Sequence, residues 1–423
     1  YNESQFAPLV RMDQLTGETK YIAYSQVNKE MRWNWNAPIL ISPHDPNTIF
    51  HAGNKLIKSA NQGESWEVIS PDLTTNNPEK IQGTGNIQYC TITSFDQSPI
   101  DKNVIWVGTD DGNVQLTKDG GKTWTKLNDQ IVGNPEYWVS RIIASNHLKG
   151  RAYLTYTGYR RDDFRPFVYK TDDFGKTWVN ISDGLPNQPV NVIREDRVNP
   201  ELLFIGTEMG VYVSMDKGKH WSAMKNNMPT VPVHDLLIHP RESDLIVATH
   251  GRGIFITNIR PLQFTDENLL QRNFHLYKPR EKVMWISAGN NNSAFTNYDG
   301  ESEPEGLEVF YYSKVDEKVE VDILQGNEVI RTLEIDLHAG LNKFVWDLNK
   351  VDRKRTNKEK EEYLARAERM KDYIGKNRYE EMVKNADFVF AKTKPGNYKI
   401  RVKLSASSHE QEIVILQDLW QPK

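Results

Sequence analysis

The side chains best suited to chemistry in this sequence lie in polar segments between strand-like runs. The richest segment, residues 159–165, reads Tyr-Arg-Arg-Asp-Asp-Phe-Arg. A guanidinium binds carboxylates through paired hydrogen bonds, and aromatic rings pack against sugars and peptides. The alternative is an ordinary solvated loop, because loops lie on the surface whether or not they bind a ligand. The candidate ligand-binding residues are Tyr137, Trp138, Arg141, Tyr159, Arg160, Arg165, His234, His250 and Arg252.

Carboxylates in the same kinds of segment raise the question of hydrolysis. A glycoside hydrolase needs two carboxyl groups across the scissile bond, one of them with a raised pKa. The candidate catalytic residues are Asp162, Asp163, Glu208 and Asp235. Their spacing does not single out one pair, so the sequence leaves the catalytic residues unassigned.

Metal and cofactor chemistry finds little support in the sequence. His234 and His250 are the one plausible pair of metal ligands, and no Cys or His-x-x-x-His spacing accompanies them. A phosphate-binding loop, a nucleophile elbow and a dinucleotide-binding fingerprint are all absent from the sequence. We therefore predict neither a metal site nor a cofactor.

The elements that must position these residues are marked by a phrase that occurs four times. It has the form [ST]-x-[DN]-x-G-x-x-W and starts at Ser59, Thr117, Thr171 and Ser214, each time between two short strand-like runs. The pattern predicts a hairpin in which the Asp or Asn caps backbone N–H groups, Gly adopts positive φ and Trp covers the strands. These structural residues are Asn61, Gly63, Trp66, Asp119, Gly121, Trp124, Asp173, Gly175, Trp178, Asp216, Gly218 and Trp221.

The four phrases resemble the Asp-box, or BNR, repeat of β-propeller proteins. Residues 33–38 (Trp-Asn-Trp-Asn-Ala-Pro), 42–47 (Ser-Pro-His-Asp-Pro-Asn) and 248–253 (Ala-Thr-His-Gly-Arg-Gly) resemble bacterial sortilin-like proteins often labelled "glycosyl hydrolase, BNR repeat". The resemblance implies that the hairpins lie on one face of the propeller. It places the ligand on the opposite face, in the loops that carry the candidate residues. The Arg-Ile-Pro of sialidases does not occur here.

The repeats and the strand patterns together predict an all-β chain with two domains. We expect an Asp-box β-propeller over residues 1–260, with five recognisable blades and a leading half-blade. A linker over 261–305 and an Ig/fibronectin-III-like β-sandwich over 306–423 follow, with a helical insertion near 357–386. The leading blade lacks its first half. We therefore expect that the chain is the C-terminal part of a longer protein, or that the ring is completed by an N-terminal fragment or a second chain.

Composition narrows the classes of partner. The formal net charge is −4, so a nucleic-acid partner is not expected, and the single cysteine rules out an internal disulfide. The sequence holds no apolar run long enough for a transmembrane segment. The leading hypothesis is a non-catalytic, extracytoplasmic module that binds a protein, peptide or glycan, its location resting on the resemblance. The alternative is a glycoside hydrolase of the tandem-propeller type, with a carboxylate pair in the cleft between two propellers.

Overall fold

A computed structural model describes residues 1–3, 8–22, 31–82, 89–225, 227–284 and 306–418 of the chain. The chain divides into two compact units, Tyr1–Phe264 and Thr265–Lys423. Both units are built mainly of β-strands, and the first is a β-propeller. The predicted fold class is therefore confirmed.

The first unit has six small antiparallel sheets among its described residues, and each pairs its strands in sequence order. The leading blade holds β1 (Asn2–Glu3), β2 (Leu9–Met12) and β3 (Thr19–Tyr21). Blades one and two hold β4 (Ile39–Ile41), β5 (Ile49–Ala52), β6 (Leu56–Ser59), β7 (Glu67–Val68), β8 (Ile92–Gln97), β9 (Ile105–Thr109), β10 (Val114–Thr117) and β11 (Thr125–Lys126), with helix α1 (Pro78–Gln82) between them. Blades three to five hold β12 (Trp138–Ala144), β13 (Ala152–Gly158), β14 (Asp163–Thr171), β15 (Val179–Asn180), β16 (Val190–Glu195), β17 (Leu203–Thr207), β18 (Gly210–Ser214), β19 (Ser222–Met224), β20 (Val233–Ile238), β21 (Asp244–Thr249) and β22 (Ile254–Asn258), followed by α2 (Arg260–Gln263).

The first strands of blades two to five share one irregularity. Each has a β-bulge at the same place, where the bulged residues are Thr93, Ser140, Asn191 and His234. A bulge adds one residue to the strand and changes the direction of the side chains around it. The first three bulged side chains each donate a hydrogen bond to a carbonyl near the start of the next blade's first strand. Thr93 donates to Val139 O at 2.7 Å, Ser140 to Val190 O at 2.7 Å and Asn191 to Val233 O at 3.2 Å.

The four repeated phrases form turns with one shared hydrogen-bond pattern, and we call them box hairpins. In the second, Asp119 Oδ1 accepts hydrogen bonds from Thr123 N at 2.9 Å and from Thr117 Oγ1 at 2.8 Å. Thr117 Oγ1 in turn accepts a hydrogen bond from Gly121 N at 3.0 Å. The same three hydrogen bonds recur in the hairpins that contain Asn61, Asp173 and Asp216. All hydrogen-bonded residues of a box hairpin lie within a few positions of one another in the chain, so the hairpin can be recognised from the sequence.

Each box-hairpin glycine also touches the preceding blade. The φ angles of Gly63, Gly121, Gly175 and Gly218 lie between 77° and 102°, and a Cβ added to Gly175 would lie 2.5 Å from Leu127 Cδ1. An equivalent contact joins Gly218 to Ile181 of the preceding blade, at 2.7 Å. Ile22, which follows β3, meets Gly63 in the same way. The leading sheet therefore packs against blade one as one blade packs against the next.

The box-hairpin tryptophans reinforce these contacts between blades. Trp124 Nε1 donates to Ile69 O of the preceding blade at 3.3 Å, and Trp221 Nε1 donates to Ile181 O of the preceding blade at 2.8 Å. Trp178 is buried and meets the ring of Trp106 edge to face, with centroids 6.1 Å apart. Trp66 packs on the apolar cluster formed by Leu9, Ile22 and Ile49.

Blade five leaves one of its faces open. The face of blade five that includes Leu236 packs against the blade-four face that carries Phe204. On its other face Leu237 pairs with Ile246, and Ile246 pairs with Ile256. Leu237, Ile254 and Ile256 expose 53%, 68% and 65% of their surface. By strand position this open face of blade five is equivalent to the blade-four face that carries Phe204.

The second unit is a β-sandwich that contains helix α3 (Glu267–Gln271). Its strands are β23 (Phe274–Leu276), β24 (Lys282–Met284), β25 (Leu307–Ser313), β26 (Glu317–Gln325), β27 (Glu328–Leu337), β28 (Gly340–Trp346), β29 (Asn349–Lys354), β30 (Phe388–Lys392), β31 (Gly396–Lys403) and β32 (Ser408–Gln417). One sheet has the order β23-β25-β28 and the other β24-β32-β31-β26-β27, while β29 and β30 form a separate hairpin. Trp346 of one sheet and Ile400 of the other are fully buried in the shared core.

Two predictions about the second unit need correction. The predicted linker, 261–305, is wrong for residues 265–284, because β23 pairs with β25 and β24 pairs with β32. Residues 285–305 lie outside the described part of the chain. The helical insertion is present but divided into α4 (Asn357–Ile374) and α5 (Lys376–Lys384), because Gly375 has a φ of 76°. A capping box between Thr356 and Glu359 begins α4.

Candidate functional site

A cleft of about 1500 Å³ runs along the first strands of the propeller blades. Its wall includes Tyr89 and Tyr137, which precede β8 and β12, and Pro99 and Arg197, which follow β8 and β16. The cleft therefore extends from the loops before the first strands to the turns after them. Sites for drug-sized ligands measure roughly 300–1,000 Å³, so this one has room for several sugar rings or a short peptide.

Three charged side chains from three blades meet in the wall of the cleft. Arg141 of β12 and Arg194 of β16 both donate to Asp235 Oδ1 of β20, at 2.9 Å and 2.8 Å. Arg141 and Asp235 each follow a bulged residue, so the bulge places them at equivalent positions of their strands. Arg194 Nε also donates to Leu236 O at 2.6 Å, which holds its guanidinium in place. We call these three residues the arginine pair and its carboxylate.

Asp96 of β8 adds a fourth ionisable group to the wall. Its Oδ2 accepts a hydrogen bond from Ala144 N at 3.0 Å. Burial raises the pKa of Asp96 to about 6, although the nearby charges of Arg194 and Arg141 act in the opposite direction. Burial, and then the charge of Arg194, lower the pKa of Arg141 to about 10. Both shifts are in the direction expected for charges that are poorly solvated.

The rim of the cleft at blade three combines guanidinium groups with aromatic rings. A short 3₁₀ turn, Tyr159–Arg161, joins β13 to β14. It places the guanidinium of Arg160 4.5 Å from the ring centre of Trp138, which is the distance of a cation–π contact. Arg161 lies 6.0 Å from the ring centre of Tyr137. The rim therefore presents a cationic and aromatic surface to a ligand.

The two histidines of the cleft lie together at blade five. The rings of His234 and His250 meet edge to face, with centroids 4.9 Å apart, and both side chains are exposed. Nearby in the wall, Glu208 Oε1 accepts a hydrogen bond from Asn191 Nδ2 at 2.8 Å. Across the described residues, His, Cys, Asp and Glu side chains form no group of three that could hold a metal ion.

Most of the predicted site residues lie in the wall of this cleft. They are Tyr137, Trp138, Arg141, Tyr159, Arg160, Glu208, His234, Asp235 and His250. Asp162, Asp163, Arg165 and Arg252 are not in the wall. Asp163 pairs with Arg165 at 2.6 Å, and that hydrogen-bonded contact lowers the pKa of Asp163 to about 2. Asp162 sits exposed at a left-handed turn position, and Arg252 is exposed in the turn after β21.

The sequence interpretation missed several residues of the wall. Arg194 and Asp96 stand two residues beyond the position of Arg141 in their own first strands, where alternation predicts a shared face. Aligning the first strands of successive blades would have found both. Trp35, which exposes 42% of its surface in the wall, precedes β4 in a segment that shows no such pattern.

The chain shows only distant likeness to known proteins. No protein-family profile and no curated protein sequence matches the chain. Among solved structures, the chain is similar to YCF48 bound to D1 peptide, with 10% identity, a TM-score of 0.42 and coverage of 59% of this chain and 71% of that one. A GH74 xyloglucanase from Xanthomonas campestris shows 17% identity and a TM-score of 0.43, with coverage of 70% of this chain and 42% of that one.

A third similar structure is the extracellular domain of a putative hybrid two-component system from B. thetaiotaomicron. It shows 13% identity and a TM-score of 0.40, with coverage of 97% of this chain and 47% of that one. The chain thus spans less than half of the xyloglucanase and of this extracellular domain. All three are β-propeller proteins.

Proposed function

We propose that this chain is a non-catalytic binding module that holds a peptide or a glycan in the cleft along its first strands. The proposal rests on one observation: the two predicted catalytic acids in the wall of that cleft, Asp235 and Glu208, are already bound by other side chains of the protein. Asp235 is bound by two guanidinium groups, and Glu208 by the amide of Asn191. A catalytic acid or base must be within hydrogen-bond reach of the substrate, and these two carboxylates are instead hydrogen-bonded to other side chains of the protein.

Aromatic and guanidinium groups support binding as the role of the cleft. Trp35 and Trp138 lie in its wall, with the guanidinium of Arg160 over the ring of Trp138. Such rings bury a large area at low entropic cost, and arginine supplies directed hydrogen bonds. A rim of this kind suits recognition of a flexible chain ligand.

Asp96 favours a second candidate function, a glycoside hydrolase. It is a carboxyl in the wall whose pKa burial raises to about 6, which suits a general acid. In a tandem-propeller enzyme the second carboxylate would come from the other propeller, roughly 5–10 Å away across the sugar chain. This candidate requires turnover, which the binding module does not.

We also propose that a further blade covers the open face of blade five. Leu237, Ile254 and Ile256 are exposed there, at positions whose blade-four equivalents pack against the next blade. His234 is the bulged residue of β20, and the bulged residues of β8 and β12, Thr93 and Ser140, each donate a hydrogen bond to the next blade. The added blade would come from another segment of the polypeptide or from a second chain.

An extracytoplasmic location is part of the proposal and follows the resemblance to sortilin-like proteins. None of the helices in the described ranges is both long and apolar enough to cross a membrane. Fractionation of the producing cells, followed by detection of the full-length protein, tests the location. Recovery of the protein with cytoplasmic markers would contradict it.

The binding role is tested by screening the full chain against oligosaccharide and peptide panels, with affinities measured by calorimetry. Trp138→Ala should weaken the best ligand by about tenfold or more, because central aromatic side chains dominate binding energy. The control is Tyr21→Ala, an aromatic that is 76% exposed on the leading blade and should leave the affinity unchanged.

Product analysis of the same mixtures separates the two candidate functions. Cleavage of an oligosaccharide that is lost in Asp96→Asn would establish the hydrolase and overturn the non-catalytic proposal. Binding without products supports the module. The absence of any ligand, or equal effects of Trp138→Ala and Tyr21→Ala, would contradict binding in the cleft.

A further inference from the structure

We propose that Arg141 and Arg194 form a subsite for the carboxylate of an acidic oligosaccharide, a glycan that contains uronate sugars. This inference rests on the proposed binding function of the cleft and names its ligand class. It starts from the arginine pair and its carboxylate, in which two cations share a single anion.

The subsite itself contains two guanidinium groups and two carboxyl groups. Asp235 Oδ1 accepts hydrogen bonds from Arg141, from Arg194 and from Leu236 N, so one oxygen serves three donors. Asp96 is the other acid beside the pair, and with a pKa of about 6 it carries most of its charge at neutral pH. Across the whole wall of the cleft, however, six Arg and Lys side chains stand against five Asp and Glu side chains, so an added carboxylate would meet a small excess of positive charge.

Arg141 and Arg194 both keep part of their side chains open to the cleft. Side-chain exposures of 23% for Arg141 and 22% for Arg194 show that the pair still reaches the cleft. Both guanidiniums are held by the protein before a ligand arrives, which lowers the entropic cost of binding.

The surroundings favour a glycan over a peptide. Extended peptides commonly bind a sheet by adding backbone hydrogen bonds to an open strand edge. Here carbonyls of the first strands already accept hydrogen bonds from Thr93, Ser140 and Asn191. The wall offers instead the aromatic side chains of Trp35 and Trp138, the latter with Arg160 over its ring, and aromatic side chains of this kind pack against sugar rings.

The test uses the full chain and three probes, trigalacturonate, its methyl ester and triglutamate. The ester keeps the sugar rings and removes the negative charges. Trigalacturonate should bind about tenfold or more tightly than the ester, and Arg194→Gln and Arg141→Gln should each remove most of that preference. Their affinity for the ester should fall much less than their affinity for trigalacturonate, since the aromatic contacts remain.

Two further variants guard against trivial explanations. Arg252→Gln removes the same charge outside the cleft and should leave the preference intact. Arg141→Lys keeps the positive charge but loses the planar guanidinium that can donate two parallel hydrogen bonds to a carboxylate. This variant should therefore retain only part of the preference for trigalacturonate over its ester. Thermal unfolding of each variant shows whether it is folded at the temperature of the measurement.

The outcomes distinguish this inference from the proposed function. If the ester binds as tightly as the acid and Trp138→Ala still weakens both, the cleft binds glycans and the carboxylate subsite is wrong. If triglutamate binds more tightly than trigalacturonate and depends on Arg194, the ligand is an acidic peptide and the glycan assignment is wrong. Equal losses in Arg252→Gln and Arg194→Gln, or no binding of any probe, would also overturn the proposal.

Discussion

The acidic side chains of the propeller differ sharply in their surroundings, and Asp96 shows what this means for stability. Its ordinary pKa of 3.8 rises to about 6 in the folded chain because the carboxyl is buried. The folded chain therefore retains this proton at pH values where the unfolded chain has released it. The resulting contribution to stability is complete below pH 3.8 and is lost as the pH rises through about 6.

Replacing Asp96 with Asn should remove this pH dependence. Asn keeps an oxygen for Ala144 N and carries no charge at any pH. Near pH 4 the variant and the wild type should have similar melting temperatures, and at pH 8 the variant should melt at the higher temperature. Asp110, whose pKa burial raises to about 7, acts in the same direction in both proteins and cancels in the difference. A difference that does not change with pH would contradict the burial of this charge.

At the scale of the element, each box hairpin combines a local turn with a contact to the neighbouring blade. Gly175 illustrates both, because its φ of 77° strains any side chain and its missing Cβ leaves room for Leu127. Gly184 has almost the same φ, 79°, and nothing lies within 4 Å of its added Cβ. The two glycines therefore separate backbone strain from packing.

Gly175→Ala should destabilise the chain more than Gly184→Ala. Both substitutions carry the strain of positive φ, about 1–2 kcal/mol. Gly175→Ala adds a steric overlap with Leu127, and overpacking of this kind typically costs about 1–3 kcal/mol more. Urea unfolding of both variants measures the difference in unfolding free energy. Equal values would mean that the hairpin does not press against the preceding blade.

At the scale of the whole molecule, successive blades stabilise one another, and blade five has one uncovered side. Phe204 of blade four is fully buried against blade five, whereas Ile256 occupies the equivalent face of blade five and is 65% exposed. Burial of large apolar side chains is the main source of stability in such an array. The two positions should therefore respond very differently to substitution.

Phe204→Ala should lower the unfolding free energy by about 3–5 kcal/mol, as expected for a large side chain removed from a core. In this chain measured without the proposed further blade, Ile256→Ser should change it by no more than about 0.5 kcal/mol, which is typical of surface positions. Chemical denaturation of the first unit within the full chain gives both values. A large loss for Ile256→Ser would show that this face is already covered by another part of the chain.

The fold was more predictable than the site because the hydrogen bonds that define the blades are local. Asp119 meets Thr117 and Thr123 within the same hairpin, so spacing alone identified the turn. The β-sandwich strands were likewise visible in the alternation of apolar residues. The linker was placed wrongly because β23 and β24 are three residues long and carry too little periodicity to be recognised.

The sequence by itself determined the repeat, the hairpins and the kinds of side chain in the loops between strands, since these depend on neighbours in the chain. Only the tertiary structure decided which of those side chains share a site. Arg141 and Asp235 are 94 residues apart, and Arg194 joins them because three bulged first strands lie side by side. The same packing buries Asp96. Distances and burial of this kind arise from contacts between blades, and these contacts leave no local pattern in the sequence.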